Sequence, residues 1–243
     1  VDVVADLNFY FDPVCPFAWM TSKWVRQVMA ARDYTVEWRF ISLRLLNSHI
    51  DYDAHFPPEY EAGHTSGLRM LRVAAKARAE LGPDAVDRLQ ASFGEHLFEV
   101  PPPPDAQERA RPDGSPEHVV RVLEDAGLPV SLAEALDDPS WDAVIQAETD
   151  EALALTGRDV GTPILHIDPP HGVAFFGPVI SRRPSDEEAV ELWDHVLGLA
   201  RFGGFAELKR SLRERLQLPA FGVSSDATGR EEDWHQGSRR LKH

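Results

Sequence analysis

Apolar positions along this chain change spacing several times, and the changes divide it into elements. Residues 3–11 are apolar and β-prone and predict a buried strand. Trp19, Val25, Val28 and Met29 then recur at roughly helical spacing. Residues 34–41 alternate as a second strand. Two strands joined by a helix predict a parallel pair in an α/β sheet. The stretch from Asn47 to Tyr60 reads as loop, with Pro57-Pro58 near its end. A helical block follows. Met70, Ala74, Ala77 and Leu81 make one apolar face, and Val86, Leu89, Phe93 and Leu97 make another after a break at Gly82-Pro83. Pro101 to Pro104 require an extended segment. Ser115-Pro116 opens a third helix that Gly127 closes. Residues 140–155 form a fourth, with Trp141, Val144, Ile145, Ala152 and Leu155 apolar.

The strand pattern then returns. Residues 161–167 read as a loop entering a strand, and residues 172–176 as its hairpin partner. Ser185-Asp186-Glu187-Glu188 is a capping box, which starts a helix with Ala189, Leu192, Trp193, Val196 and Leu199 on its face. A last helix is expected around Phe205 to Leu216, and a mobile tail over residues 217–243. With the helical block removed, the order is β-α-β followed by β-β-α.

The chain has one cysteine, Cys15, placed where the first strand gives way to the first helix. Pro16 suits the first helical turn, where its missing N–H leaves nothing unsatisfied. Unpaired backbone N–H groups and the positive end of the helix dipole then face the sulfur. This environment favours the thiolate, so the expected pKa lies below the usual cysteine value of about 8.5. The competing reading is an inert buried cysteine, the ordinary fate of a free thiol.

The segment Phe11-Asp12-Pro13-Val14-Cys15-Pro16-Phe17-Ala18-Trp19 resembles the active-site motif of DsbA-type oxidoreductases of the thioredoxin superfamily. Within that group it is most similar to the actinobacterial mycothiol-dependent nitroreductase family. Val160-Gly161-Thr162-Pro163-Ile164 resembles the second landmark of the superfamily, a cis-proline loop beside the nucleophile. The resemblance implies an α/β thioredoxin-like fold with an all-helical insertion. Residues 1–50 and 156–216 would form the thioredoxin-like part, and residues 51–155 the insertion. It also implies catalysis by Cys15 with Pro16 and Pro163, and a substrate site built from Phe17, Ala18, Trp19, Asn47, Tyr60 and Thr162. Phe17 and Trp19 flank the nucleophile, either as an aromatic wall for a planar substrate or facing the core, and for Trp19 the structural reading is preferred. Phe176-Gly177-Pro178-Val179-Ile180 resembles the family's turn after the hairpin.

The chain departs from the pattern at one position. The motif usually ends in a second cysteine, and here that position is Ala18. A dithiol attacks its own mixed disulfide; a lone thiol needs a second molecule to do so. The resemblance therefore implies a thiol-dependent oxidoreductase, a nitroreductase or disulfide reductase, resolved by a low-molecular-weight thiol. Mycothiol is the expected thiol, and no tightly bound cofactor is expected. Two alternatives keep the fold: an enzyme like the kappa-class glutathione transferases and isomerases, or a non-catalytic binding module.

Asp12, three residues before the cysteine, is a candidate proton relay or the start of an Asp-Pro turn. His49, Asp51, Asp53 and His55 alternate, but beside two prolines they read as a solvated loop, and no metal site is expected. Arg182 and Arg183 are candidate anion contacts.

Composition narrows the partners. With 40 acidic and 25 basic residues the net charge is −15, which disfavours nucleic acid and anionic membranes. No apolar run approaches the 18 or so residues of a membrane span. The expected partners are a small-molecule thiol and a small or disulfide substrate. A single cysteine fits a reducing compartment, and the expected location is cytoplasmic. The basic residues are 21 Arg and only 4 Lys, a bias typical of the GC-rich genomes of actinobacteria.

Overall fold

A computed structural model of the chain describes residues 4–55, 58–101, 114–210, 212–223 and 231–233. A four-stranded sheet has the order β2-β1-β3-β4, built from β1 (Leu7–Phe11), β2 (Val36–Phe40), β3 (Ile164–Ile167) and β4 (Val173–Phe176). β1 runs parallel to β2 and antiparallel to β3, with Phe9 opposite both Trp38 and Leu165. The sheet therefore joins two parts of the chain more than a hundred residues apart. Helix α1 (Pro16–Ala31) connects β1 to β2. The helices α2 (Leu43–Leu46), α3 (Tyr52–His55), α4 (Pro58–Leu81), α5 (Pro83–Phe98), α6 (Pro116–Asp125) and α7 (Asp142–Thr156) lie between the two pairs of strands. Helix α8 (Asp186–Arg201) follows β4. No strand occurs between residues 65 and 155 among the described residues.

Central strand β1 is buried on both faces, which is why its residues are apolar without clean alternation. Leu7, Phe9 and Phe11 point into the main core with Trp24, Val25 and Val28 of α1, Trp38 and Phe40 of β2, and Trp193 of α8. Each of these three side chains contributes roughly 1.5–3 kcal/mol by leaving water. On the opposite face Tyr10 packs with Ile164 and with Ala152 and Leu153 of α7. The polar end of Tyr10 is satisfied there, its hydroxyl donating to Glu151 at 2.8 Å. Trp24 and Trp193 meet edge to face at 5.4 Å, fastening α1 to α8, and the Trp24 indole donates to the carbonyl of Ala189 at 2.8 Å.

Helix starts follow their caps. Ser115 caps α6, accepting from the His118 N–H, and Ser185 with Glu188 forms a complete capping box at α8. Gly127 has φ of +64°, and the Leu128 N–H returns to the Leu123 carbonyl, closing α6.

Several expectations need correction. The first strand starts at Leu7 rather than residue 3. The stretch read as loop over 47–60 contains α3 and the first turn of α4. Leu81, Leu192, Leu155 and Leu199, assigned to buried faces, are 46%, 42%, 39% and 45% exposed; Leu197 and Ala200 are the inward residues of α8. The last helix expected over 205–216 does not occur among the described residues. Leu212–Glu214 is instead strand β5, antiparallel to β6 (Glu231–Asp233). Between them, Leu216 and Leu218 are buried against Trp19, Met20 and Phe98. The proline segment beyond Pro101 and the tail beyond Asp233 lie outside the described residues.

Candidate active site

The sequence ends β1 at Phe11, and the chain then turns through Asp12-Pro13-Val14 into α1. The turn is fixed by the Asp12 carboxylate. Its Oδ1 accepts from the Val14 N–H at 3.0 Å, while the Cys15 N–H donates to the Asp12 carbonyl at 3.0 Å. Cys15 is thereby the N-cap of α1, with Pro16 as the first helical residue. The Ala18 N–H donates to Cys15 Sγ at 3.4 Å. The sulfur itself donates to the carbonyl oxygen of Thr162 at 3.5 Å. Cys15 is only 7% exposed.

The loop carrying Thr162 is held on its far side. The Thr162–Pro163 peptide is cis, and the Pro163 carbonyl accepts from the Gly177 N–H at 2.8 Å. Gly177 has φ of +92°, a conformation that suits glycine. The next carbonyl, of Pro178, accepts from the Thr21 hydroxyl of α1 at 2.8 Å. The proline loop, the turn after β4 and α1 thus form a closed circuit around the sulfur. The Thr162 side chain is buried.

Burial is the largest influence on the Cys15 thiol and pushes its pKa above the ordinary value. The Thr162 side chain and the backbone N–H groups of Ala18 and Phe17 pull it down, and the charge of Asp12 adds to the rise. The expectation of a lowered pKa is therefore corrected. The helix-terminal N–H groups are present, but desolvation outweighs them.

Asp12 has a second attachment. Its Oδ2 accepts from the Leu43 N–H at 2.7 Å, so one carboxylate joins the active-site turn to the start of α2. Gly67 of α4 lies directly over it, and a Cβ there would overlap Oδ1. Sealed in this way, Asp12 has its pKa pushed up to about 7 by burial, against the pull of the Leu43 and Val14 N–H groups. Gly67 is absent from the sequence reading. A glycine inside a long helix costs about 1 kcal/mol against alanine, and that cost was the signal of close approach.

The remaining candidates divide into two groups. Ala18 is buried beside the sulfur, and Phe17 is half-buried at the edge of the main core. Trp19 turns away from this group. Its indole donates to Glu99 at 2.7 Å, Lys23 lies over its ring, and Gly94 of α5 is packed against the ring face. Asn47 finishes α2, its side-chain amide donating to the Leu43 carbonyl at 2.9 Å. Tyr60 meets the His64 ring at 5.6 Å, and His64 Nδ1 is 3.0 Å from the Tyr52 hydroxyl. Burial pushes the His64 pKa down to about 4, so the ring is neutral near neutral pH. Asn47 and Tyr60 thus take partners from α2 and α4, while Trp19 braces α1 from behind. Asp51 caps the turn of α3 through the Ala54 N–H, and Arg182 pairs with Glu214 at 3.0 Å.

A helix-capping cysteine facing a cis-proline loop, on a sheet interrupted by helices, marks a thioredoxin-like fold with a DsbA-like helical insertion. The solved structure of a probable DsbA oxidoreductase, SCO1869 from Streptomyces coelicolor, shares this fold with a TM-score of 0.50 and 17% identity, over 85% of this chain and 94% of that one. The family described as Rv2466c-like, mycothiol-dependent nitroreductase Rv2466c, matches residues 14–210, and the chain belongs to it. A relative from Mycobacterium tuberculosis, the uncharacterized protein Rv2286c, is 32% identical over 205 residues, spanning 84% of this chain and 81% of the relative.

Proposed function

We propose that this protein is a monothiol oxidoreductase in which Cys15 is the nucleophile and a low-molecular-weight thiol, mycothiol, resolves the intermediate. The observation that carries the reading is the position of the lone cysteine sulfur, capping α1 and facing the Thr162 carbonyl, with alanine where a resolving cysteine would stand. The Cys15 thiolate attacks a disulfide RSSR, forming Cys15–S–SR and releasing RS⁻. A thiolate from mycothiol then attacks the mixed disulfide, regenerating Cys15 and leaving a disulfide of mycothiol with R. The family description extends the same reading to nitroaromatic acceptors, each two-electron reduction consuming two thiols.

Ala18 and Phe17 line the sulfur's side of the site in this reading, and Thr162 and Pro163 form its far wall. Asp12 is a positioning residue that also exchanges a proton near neutral pH, since its oxygens hold the turn rather than touch the sulfur. No helix among the described residues is long and apolar enough to cross a membrane, and we place the enzyme in the cytoplasm, where thiol co-substrates are kept reduced.

The test is turnover with each thiol. Reduction of a small disulfide or a nitroaromatic should be supported by mycothiol, more weakly by glutathione, and abolished by Cys15→Ser. Burial of Cys15 favours the rival reading of a binding module with an inert thiol. That reading wins if iodoacetamide labels Cys15 only after unfolding.

A further inference from the structure

The four-stranded sheet and the helices around it are complete at Arg201, the end of α8, and the match to the family ends at residue 210. The chain beyond that point is nevertheless firmly packed. Leu216 and Leu218 are 1% and 0% exposed, buried with Trp19 and Met20 of α1 and Phe98 of α5. After Leu218 the chain folds back on itself. The Phe221 and Val223 N–H groups both donate to the Leu218 carbonyl, at 3.0 and 3.3 Å, through a short 3-10 turn (Pro219–Phe221) that packs on α5. Residues 214–223 thus form a strap laid over a finished fold.

The strap is attached to both flanks of the site. Phe17, in the first turn of α1, packs against the same apolar cluster as Leu216 and Leu218, and so does Ile180 from the turn after β4. Phe221 of the strap is half-buried against that cluster as well. Polar bonds hold the second flank. The Gln217 N–H donates to the Ser181 carbonyl at 2.8 Å, and Glu214 accepts from the Ser181 hydroxyl at 3.2 Å and from Arg182 at 3.0 Å. These partners follow directly on Gly177 and Pro178, whose backbone ties the proline loop to Thr21 of α1. Lifting the strap would expose two buried leucines to water, so it stands as a fixed wall rather than a mobile lid.

We propose that residues 214–223 set the size of reactant that reaches Cys15, admitting small thiols and small disulfides and turning away disulfides carried on folded proteins. This rests on the monothiol reading above. Leu216 and Leu218 are positioning residues: they act by holding Phe17 on one flank and Ile180 on the other, and the low exposure of Cys15, 7%, is the result.

The experiment labels Cys15 of the reduced full chain with N-ethylmaleimide and, separately, with a maleimide carrying a branched polyethylene glycol, and compares the two rates. Mycothiol-dependent turnover of hydroxyethyl disulfide and of insulin is measured beside them. Leu216→Ala/Leu218→Ala should raise the rate of the bulky maleimide about tenfold relative to that of N-ethylmaleimide, and raise turnover of insulin relative to the small disulfide. Leu216→Met/Leu218→Met, which conserves volume, should keep the wild-type ratios. A ratio unchanged by the alanine pair, with both rates rising together or neither moving, would overturn the proposal. If the alanine pair does not fold, Gln217→Pro, which removes the N–H donated to Ser181, decides by the same ratio: a rise supports the wall and no change refutes it. Wild-type protein that turns over small disulfides and insulin equally well overturns the wall and leaves the monothiol reading standing. Wild-type protein that discriminates between the maleimides but shows no thiol-dependent turnover overturns the monothiol reading and leaves the wall. Native protein labelled by neither reagent overturns both.

Discussion

The Cys15 sulfur lies 3.5 Å from the carbonyl oxygen of Thr162, a residue 147 positions later in the chain. The contact exists because β1 and β3 are neighbours in the sheet, each delivering one loop to the same end. Reactivity at Cys15 therefore depends on the second half of the fold as well as on the motif that surrounds it.

Restoring a cysteine at position 18 tests the local geometry. The Ala18 N–H already reaches Sγ at 3.4 Å, one turn along the same helix start. Ala18→Cys should form an internal disulfide under mild oxidation, seen as loss of two free thiols by alkylation and intact mass. A small-thiol adduct on Cys15 of this variant should collapse without added thiol.

Asp12 gives stability a pH dependence. Its folded pKa is raised from 3.8 to about 7, so the folded state holds this proton more tightly than the unfolded chain. The stabilisation is complete at acidic pH below the unfolded value and is lost as pH rises through the folded one. The loss is on the order of 4 kcal/mol across that window. Asp12→Asn should flatten the fall in urea-unfolding stability between about pH 4 and pH 7. An unchanged slope would assign the dependence to other groups.

The helix glycine over Asp12 makes a sharper structural prediction. Alanine at position 67 would gain about 1 kcal/mol in helix propensity. Its Cβ would overlap Asp12 Oδ1 and press on Val14 Cγ2, and overpacking of this kind typically costs 1–3 kcal/mol. Gly67→Ala should therefore lower the urea midpoint and slow alkylation of Cys15, whereas the exposed glycine Gly198, with open space around it, should accept alanine without loss.

Most of the frame was legible in the sequence because its signals are local. Residues 7–11 and 36–40 are dense in β-prone side chains, Pro16 and Ser185 mark helix starts, and the Thr-Pro pair precedes a strand. The β5–β6 pair was not legible. Residues 205–216 mix apolar and charged positions at a spacing compatible with a helix, and the pairing partner lies nearly twenty residues on. The sign of the Cys15 shift was also hidden. A helix N-terminus can be read from Pro16, but the desolvation that outweighs it comes from the proline loop and the packed core. The double role of Asp12 was half visible: the turn could be read from Asp-Pro, whereas its bond to Leu43 requires knowing that α2 starts beside β1. Trp19 shows the same limit, since its partner Glu99 lies 80 positions away.

The central claim is that one sulfur acts and a second molecule resolves it. The direct measurement is to load Cys15 of the native protein with a small thiol, remove all excess, and follow intact mass over time. The account predicts a stable adduct that disappears only when mycothiol or another free thiol is added. Loss of the adduct without added thiol and without formation of a disulfide-linked protein dimer would contradict it.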